Sequence, residues 1–389
     1  MDKSPGQSPP GAAGGSSQQE EHAAEGILPA DHWREVSQRE GNRPEDDDYD
    51  DDGDSALGSD AGSSTASITS SILQYREIHG RRFHGETGTA QYWQSNDEAA
   101  NESLDINKIQ HSYGRDSELE LISAYDSHHA LTMAMGDKLL MAPLVQENIK
   151  KALDIGTGTG IWAIDFADEY PDAQIIGTDI SPIQPTWVPP NLQFEIEDCT
   201  QDWTFRSQDF DYVHMRWLLG SIQDWDALMR QAYRVLRPGG YIESLETSAI
   251  MTSDDGTVTE ECPMGQWGKF FISGGKKIGR SFTVVEDETQ RKSIEAAGFV
   301  DIQEFNFKMP IGGWAKDPKL KELGQVAQMV LERDVEGYIV FMANTLGWTR
   351  EEILVYISML RRDVRSKNFH AYYNQKVVWA RKPLDGEKR

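Results

Sequence analysis

A chain of 389 residues is long enough for one large domain or two ordinary ones. Its formal charge of −26 and pI near 4.7 argue against direct nucleic-acid binding, which draws on phosphate neutralisation by Lys and Arg. Its two cysteines, Cys199 and Cys262, cannot build a disulfide framework and suit a reducing compartment. No apolar run approaches the roughly 20 residues that span a bilayer, and the start of the chain lacks the apolar stretch of a signal peptide. A soluble, intracellular protein of cytoplasm or nucleus is expected, with no membrane partner.

Met1 to Ala66 reads as a disordered tail. It is rich in Gly, Pro, Ser and Gln, then carries the acidic run Glu45 to Asp52. So few apolar side chains cannot offset the entropy of ordering the segment. The acidic run reads either as a solvating stretch or as a docking site for a basic regulatory partner.

Residues 67–146 form an expected helical cap. Ile68, Ile72, Tyr75 and Ile78 recur at helical spacing, with Ser67, Thr69 and Ser70 as N-capping candidates and a stop near His79-Gly80. Asn96-Asp97-Glu98 caps a second expected helix through Asn101, Leu104 and Ile109. A third runs from Ala130 to Leu144.

The main domain, residues 147–389, begins with A-L-D-I-G-T-G-T-G-I-W from Ala152 to Trp162. A short apolar strand, a glycine turn and an apolar-periodic helix follow one another. Glycine belongs in such a turn because a Cβ would hold a ligand away from the backbone. A dinucleotide pyrophosphate is one candidate for Gly156, Thr157, Gly158 and Gly160. Asp154, two residues before the first glycine, would repel a phosphate but suits the ammonium of S-adenosylmethionine (SAM), which carries none.

Later elements fit the same ligand. Ala173 to Thr178 reads as a second strand ending at Asp179 and Ile180, about 20 residues beyond the glycines, where a ribose is held by its hydroxyls. Leu192 to Ile196 is a third strand leading to Asp198, placed for the adenine amino group, and Cys199, placed along the ring; Trp203 is close enough to join it. Phe210 to Arg216 is the fourth strand, and Arg237 to Ile242 the turn into a fifth. Trp267, Phe270 and Phe271 suggest an inserted helical lid over about 250–285. A helix closed by Gly298, a strand from Phe299 to Phe307, a helix from Lys319 to Tyr338, a T-x-x-E capping box at Thr349 and a strand from Tyr372 to Lys382 complete the chain. Strands alternating with helices imply an α/β parallel sheet with the ligand at the strands' carboxyl ends.

Through L-D-I-G-T-G-T-G, G-T-D-I-S, E-D-C and L-R-P-G-G the chain resembles the class I SAM-dependent methyltransferases. Through Ser67 to His84, Asn96-Asp97-Glu98, P-x-W-V-P-P-N-L from Pro185, F-D-Y-V-H-M-R from Phe210 and L-L-G-S-I-x-D-W from Leu218, it resembles more narrowly the fungal LaeA-like group of secondary metabolism. The resemblance implies a seven-stranded Rossmann-like sheet completed by a terminal hairpin. It also implies that Tyr75, Arg81 and Arg82 lie near the SAM carboxylate, with Tyr92 close by. Glu243-Ser244-Leu245-Glu246 departs from the group's E-x-Q-D pattern.

Methyl transfer is a displacement at a carbon already activated by a positive sulfur, so the protein chiefly supplies orientation. If the acceptor must lose a proton, His214 is the candidate base and Glu246 a more distant one. No spacing suits a metal. Three functions are consistent with these features: a methyltransferase for a small-molecule or protein acceptor, a SAM-binding scaffold in a nuclear regulatory complex, and a NAD-type oxidoreductase. Asp154 and the lack of a hydride-transfer residue weigh against the last.

Overall fold

The computed structural model describes residues 26–40, 75–84, 92–97, 99–101 and 127–387. The acidic run, the expected helix start at Ser67 and the positions Leu104 and Ile109 lie outside them. The order along the chain is α1 (Ala30–Glu40), β1 (Arg76–Ile78), β2 (Arg81–Phe83), α2 (Ser127–Ala134), β3 (Lys151–Ile155), α3 (Ile161–Glu169), β4 (Gln174–Asp179), β5 (Leu192–Ile196) and β6 (Phe210–Arg216). There follow α4 (Trp225–Val235), β7 (Leu236–Thr252), α5 (Pro263–Ile278), α6 (Thr289–Ala297), β8 (Val300–Pro310), α7 (Pro318–Arg333), α8 (Val335–Thr345), α9 (Arg350–Arg365) and β9 (Tyr372–Arg381).

Seven strands form one sheet in the order β5-β4-β3-β6-β7-β9-β8. The first five are parallel, and β9 pairs antiparallel with both β7 and β8. The chain reverses its direction of winding between β3 and β6, which opens a crevice at the carboxyl ends of those strands. On one face α3 packs through Trp162, Phe166 and Ala167 over Ala152, Ile175 and Tyr212. The larger core, on the other face, joins α4, α5, α6, α8 and α9.

Local chemistry explains most boundaries. α9 starts with the expected capping box, Thr349 and Glu352 each reaching the other's backbone N–H. Gly298, at φ 97°, ends α6. The expected single helix from Lys319 to Tyr338 is two, α7 and α8, because Asp334 turns back to cap α8 through the Gly337 N–H.

The lead-in differs from the sequence expectation. Tyr75 and Ile78 do not belong to a helix: Arg76 to Phe83 is a β-hairpin, with both turn residues at positive φ, His79 at 52° and Gly80 at 83°. The third helix is only Ser127–Ala134 and stops before Gly136 and Asp137, both at positive φ. Asp97 does cap a helical turn at 99–101 through the Ala100 N–H. Part of the expected disordered tail is ordered: Ile27 and Trp33 are buried, and Trp33 meets Tyr356 of α9 edge-on. Two apolar anchors and the Leu28 N–H on Gln266 Oε1 hold a segment whose flanks are polar.

Arg81 ties the hairpin to the helical layer. Its guanidinium donates to both oxygens of Asp97, to both oxygens of Asp334 and to Ser95 Oγ. Burial opposes ionisation of Asp97, but the Arg81 guanidinium outweighs it and holds that carboxyl below its usual range. Removing one partner of such a buried network leaves a charge uncompensated. Arg81→Ala is therefore expected to destabilise the fold by about 3–5 kcal/mol in thermal or urea denaturation, with the buried Asp334 charge left without a cation.

Candidate functional site

A cleft lies over the β3–α3 turn, lined by Gly156, Thr157, Gly158, Thr159 and Ile161. Its sides come from Asp179 and Ile180 after β4, from Glu197 to Thr200 after β5, and from Arg216, Trp217 and Leu218 after β6. Tyr92, Gln94 and Ser127 complete the wall. The turn is built for close approach. A Cβ on Gly160 would strike the Phe194 ring at 2.3 Å, so that glycine seats helix on sheet. A Cβ on Gly158 would meet nothing within 4 Å, so it would project into open cleft.

Asp179 spans the mouth of the turn. Its Oδ2 accepts the Gly158 N–H at 2.8 Å and its Oδ1 the Ser181 N–H at 2.9 Å. Burial raises its pKa to about 6, against the pull of those backbone donors. Asp198 holds its own loop by accepting from the Thr200 N–H and hydroxyl. Burial pushes the neighbouring Cys199 thiol up to about 12, so it stays neutral beside the cleft.

Several expected residues are not at the cleft. His214 lines neither this cleft nor the cavity beside it. It is buried under α3, its ring stacked on Trp162 at 3.6 Å and its Nδ1 2.7 Å from Asp154 Oδ1. Burial lowers its pKa despite that carboxylate, and the imidazole braces β3 against α3 from beneath the turn. Asp154 is likewise only 3 % exposed, and its second oxygen takes the Thr157 hydroxyl at 2.6 Å. It lies beneath the turn and is not among the residues that line the cleft, the expected place for a ligand ammonium. Arg81 is spent on Asp97 and Asp334, and Tyr75 lies against the Arg82 guanidinium. Trp203 is buried below the loop, donating to Cys199 O at 3.0 Å. Glu246 is fully buried and accepts the Leu218 and Leu219 N–H groups, one on each oxygen.

Arg216 is the charged group at the cleft that sequence reasoning passed over. Its Nη1 donates to His128 Nδ1 at 2.9 Å, and His128 Nε2 in turn reaches Asp165 at 3.0 Å. The signal was present: strand alternation puts Arg216 on the face of His214, one step nearer the carboxyl end of β6. Among the described residues no group of three or more His, Cys, Asp or Glu is placed to hold a metal ion. Nor is any described helix long and apolar enough to cross a membrane.

A family model described as a methyltransferase domain matches residues 127–302. "Methyltransferase pytC" of Aspergillus terreus is 37% identical over 314 residues, covering 80% of this chain and 89% of that protein. The chain belongs to the LaeA-like methyltransferases. "Secondary metabolism regulator LAE1" of Cochliobolus heterostrophus is 31% identical over 262 residues, covering 66% of this chain and 85% of that protein. "Probable methyltransferase tdiE" of Emericella nidulans is 31% identical over 271 residues, covering 69% and 83%. This LaeA-like chain is a SAM-dependent methyltransferase. The cleft fits that cofactor: the space over Gly158 is what a Cβ would fill, and a carboxylate rather than a cationic phosphate cradle faces it.

Gly158→Val would place a branched side chain in that space on a backbone at φ 58°. The variant is expected to lose SAM binding in isothermal titration; a folded variant that binds normally would contradict the placement of the cleft.

Proposed function

We propose that this methyltransferase acts on a neutral, largely apolar small molecule. The observation behind the reading is a second cavity that shares Gln94, Ser127 and Trp217 with the cofactor cleft. Trp93, Trp267, Phe271, Met309, Leu331 and Tyr373 supply most of its apolar wall. Among the described residues, no Asp, Glu, Lys, Arg or His lines it. Burying a charged acceptor there, such as a lysine ammonium or a phosphate, would cost several kcal/mol or more without a partner. A neutral aromatic or aliphatic body pays no such penalty.

The residues have separable tasks in this reading. The Asp179 carboxylate accepts from the ribose hydroxyls, and Asp198 and Cys199 flank the adenine. The open backbone at Gly156 to Gly158 lets the nucleoside lie close. Arg216, oriented by His128, takes the carboxylate through charge-assisted hydrogen bonds, the task expected of Arg81. When bound, SAM supplies a methyl group on a cationic sulfur. Trp217 stands in the wall common to both spaces, at φ 54°, a strained conformation for a bulky residue, with its backbone N–H held by Leu245 O. It fixes the acceptor against the cleft. Helix α5, in the expected lid segment, brings Trp267 and Phe271 to the cavity wall.

Asp179→Ala is expected to weaken SAM binding by about 1–3 kcal/mol. The ionised carboxylate is the form that accepts both hydroxyls. Wild-type affinity should therefore fall as the pH drops through about 6, and the variant should lose that dependence. Titration calorimetry across about pH 5–7, roughly one pKa unit to either side, checks both.

The acceptor class is tested with methyl-labelled SAM and a fungal extract divided into organic-soluble and protein fractions. Label is expected in the neutral organic fraction; label confined to protein would overturn the reading. Trp267→Ala should raise the acceptor KM and leave SAM affinity unchanged.

A further inference from the structure

The apolar cavity contains a polar atom that its surroundings leave unused. Gln375, on β9, lines the cavity and is 4 % exposed. Its Nε2 donates to the Thr247 hydroxyl at 2.8 Å, across the β7–β9 pair in which the two residues are direct partners. Its Oε1 is buried and has no hydrogen-bond partner among the described residues.

The orientation of that amide follows from Thr247. The Thr247 hydroxyl donates its one hydrogen to Ser248 O, so it can only accept from Gln375. The NH2 group must therefore face Thr247, and the carbonyl oxygen is turned away from it. A buried carbonyl oxygen without a donor costs about 1–3 kcal/mol. The oxygen is buried, so the side chain must turn slightly to present it to a donor on whatever enters this largely apolar space. Gln375 lines this cavity and not the cofactor cleft, whereas the atom to be methylated must lie at the shared wall of Gln94, Ser127 and Trp217.

We propose that Gln375 Oε1 is the recognition group of the acceptor cavity, selecting a neutral apolar molecule with a hydroxyl or N–H donor distinct from the methylated atom. This rests on the apolar-acceptor reading above and narrows it. Pure hydrocarbons and ethers leave the oxygen unpaired; phenols, alcohols and lactam-type N–H groups satisfy it. Gln375 is a positioning and specificity residue, with no part in bond making.

The test uses the full chain, saturated with S-adenosylhomocysteine, titrated calorimetrically with 2-naphthol and with 2-methoxynaphthalene. The two share a ring system, but only the first can donate. The wild type is expected to bind 2-naphthol about five- to tenfold more tightly, the usual worth of one hydrogen bond. Gln375→Met, of similar shape, should abolish that preference while S-adenosylhomocysteine affinity stays unchanged. Thr247→Val, which frees the amide to turn over, should reduce it and provides the test if Gln375→Met does not fold. Equal binding of the two probes, tighter binding of the ether, or a preference that survives both substitutions overturns the inference and leaves the apolar-acceptor reading standing. Binding of neither probe to the wild type overturns both.

Discussion

The buried carboxylate of Asp154 is the point from which the cofactor side of the molecule is held. It sits on the central strand β3, directly beside His214 of β6 in the parallel register. One oxygen takes the imidazole, and the other takes Thr157 in the glycine turn. Trp162, the second residue of α3, closes the arrangement by stacking on that imidazole. Two strands, the turn and the following helix are thus joined through one side chain. The backbone that must lie open to a ligand is braced from below, and the ligand is left to other groups.

Two further buried carboxylates repeat the device on β7. Glu243 accepts the N–H groups of Met141 and Ala142, and Glu246 those of Leu218 and Leu219. Burial raises the two pKa values to about 7 and about 8, even against those donors. The first holds the segment entering the main domain, and the second holds the loop after β6 that walls both cavities. The departure from E-x-Q-D at these positions therefore lies in the scaffold under the site. Backbone N–H groups of loops would otherwise be buried without acceptors.

What the sequence made legible was the part governed by local rules. Apolar strand runs, the glycine turn, the strand ending at Asp179 and the Thr349 box each depend on a few neighbouring residues, and each of these elements is found as read. The failures have a common origin in direction. Tyr75 and Ile78 satisfy helical spacing, but two positive φ angles at His79 and Gly80 fold the segment back as a hairpin. His214 and Asp154 have suitable chemistry for a site, yet their strand alternation points them beneath α3. Arg81 has the charge to meet a carboxylate, and it meets two from its own chain, one of them 253 positions away at Asp334. Long-range pairing of that kind leaves no trace in spacing.

The N-terminal helix α1 changes how the polypeptide can be cut. Ile27 and Trp33 sit in the same core as Phe270 of α5 and Tyr356 of α9, and Lys269 of α5 reaches back to Gly26 O. Compositional bias invites deletion of the first 66 residues as dispensable. Such a truncation would strip an indole from Tyr356 of α9 and remove the backbone contacts of Gly26 and Leu28 from α5, the helix whose Trp267 and Phe271 line the apolar cavity. A shortened protein would carry a raw groove on its back and a loosened roof over its substrate, so an expression boundary chosen for solubility would alter the enzyme it was meant to isolate.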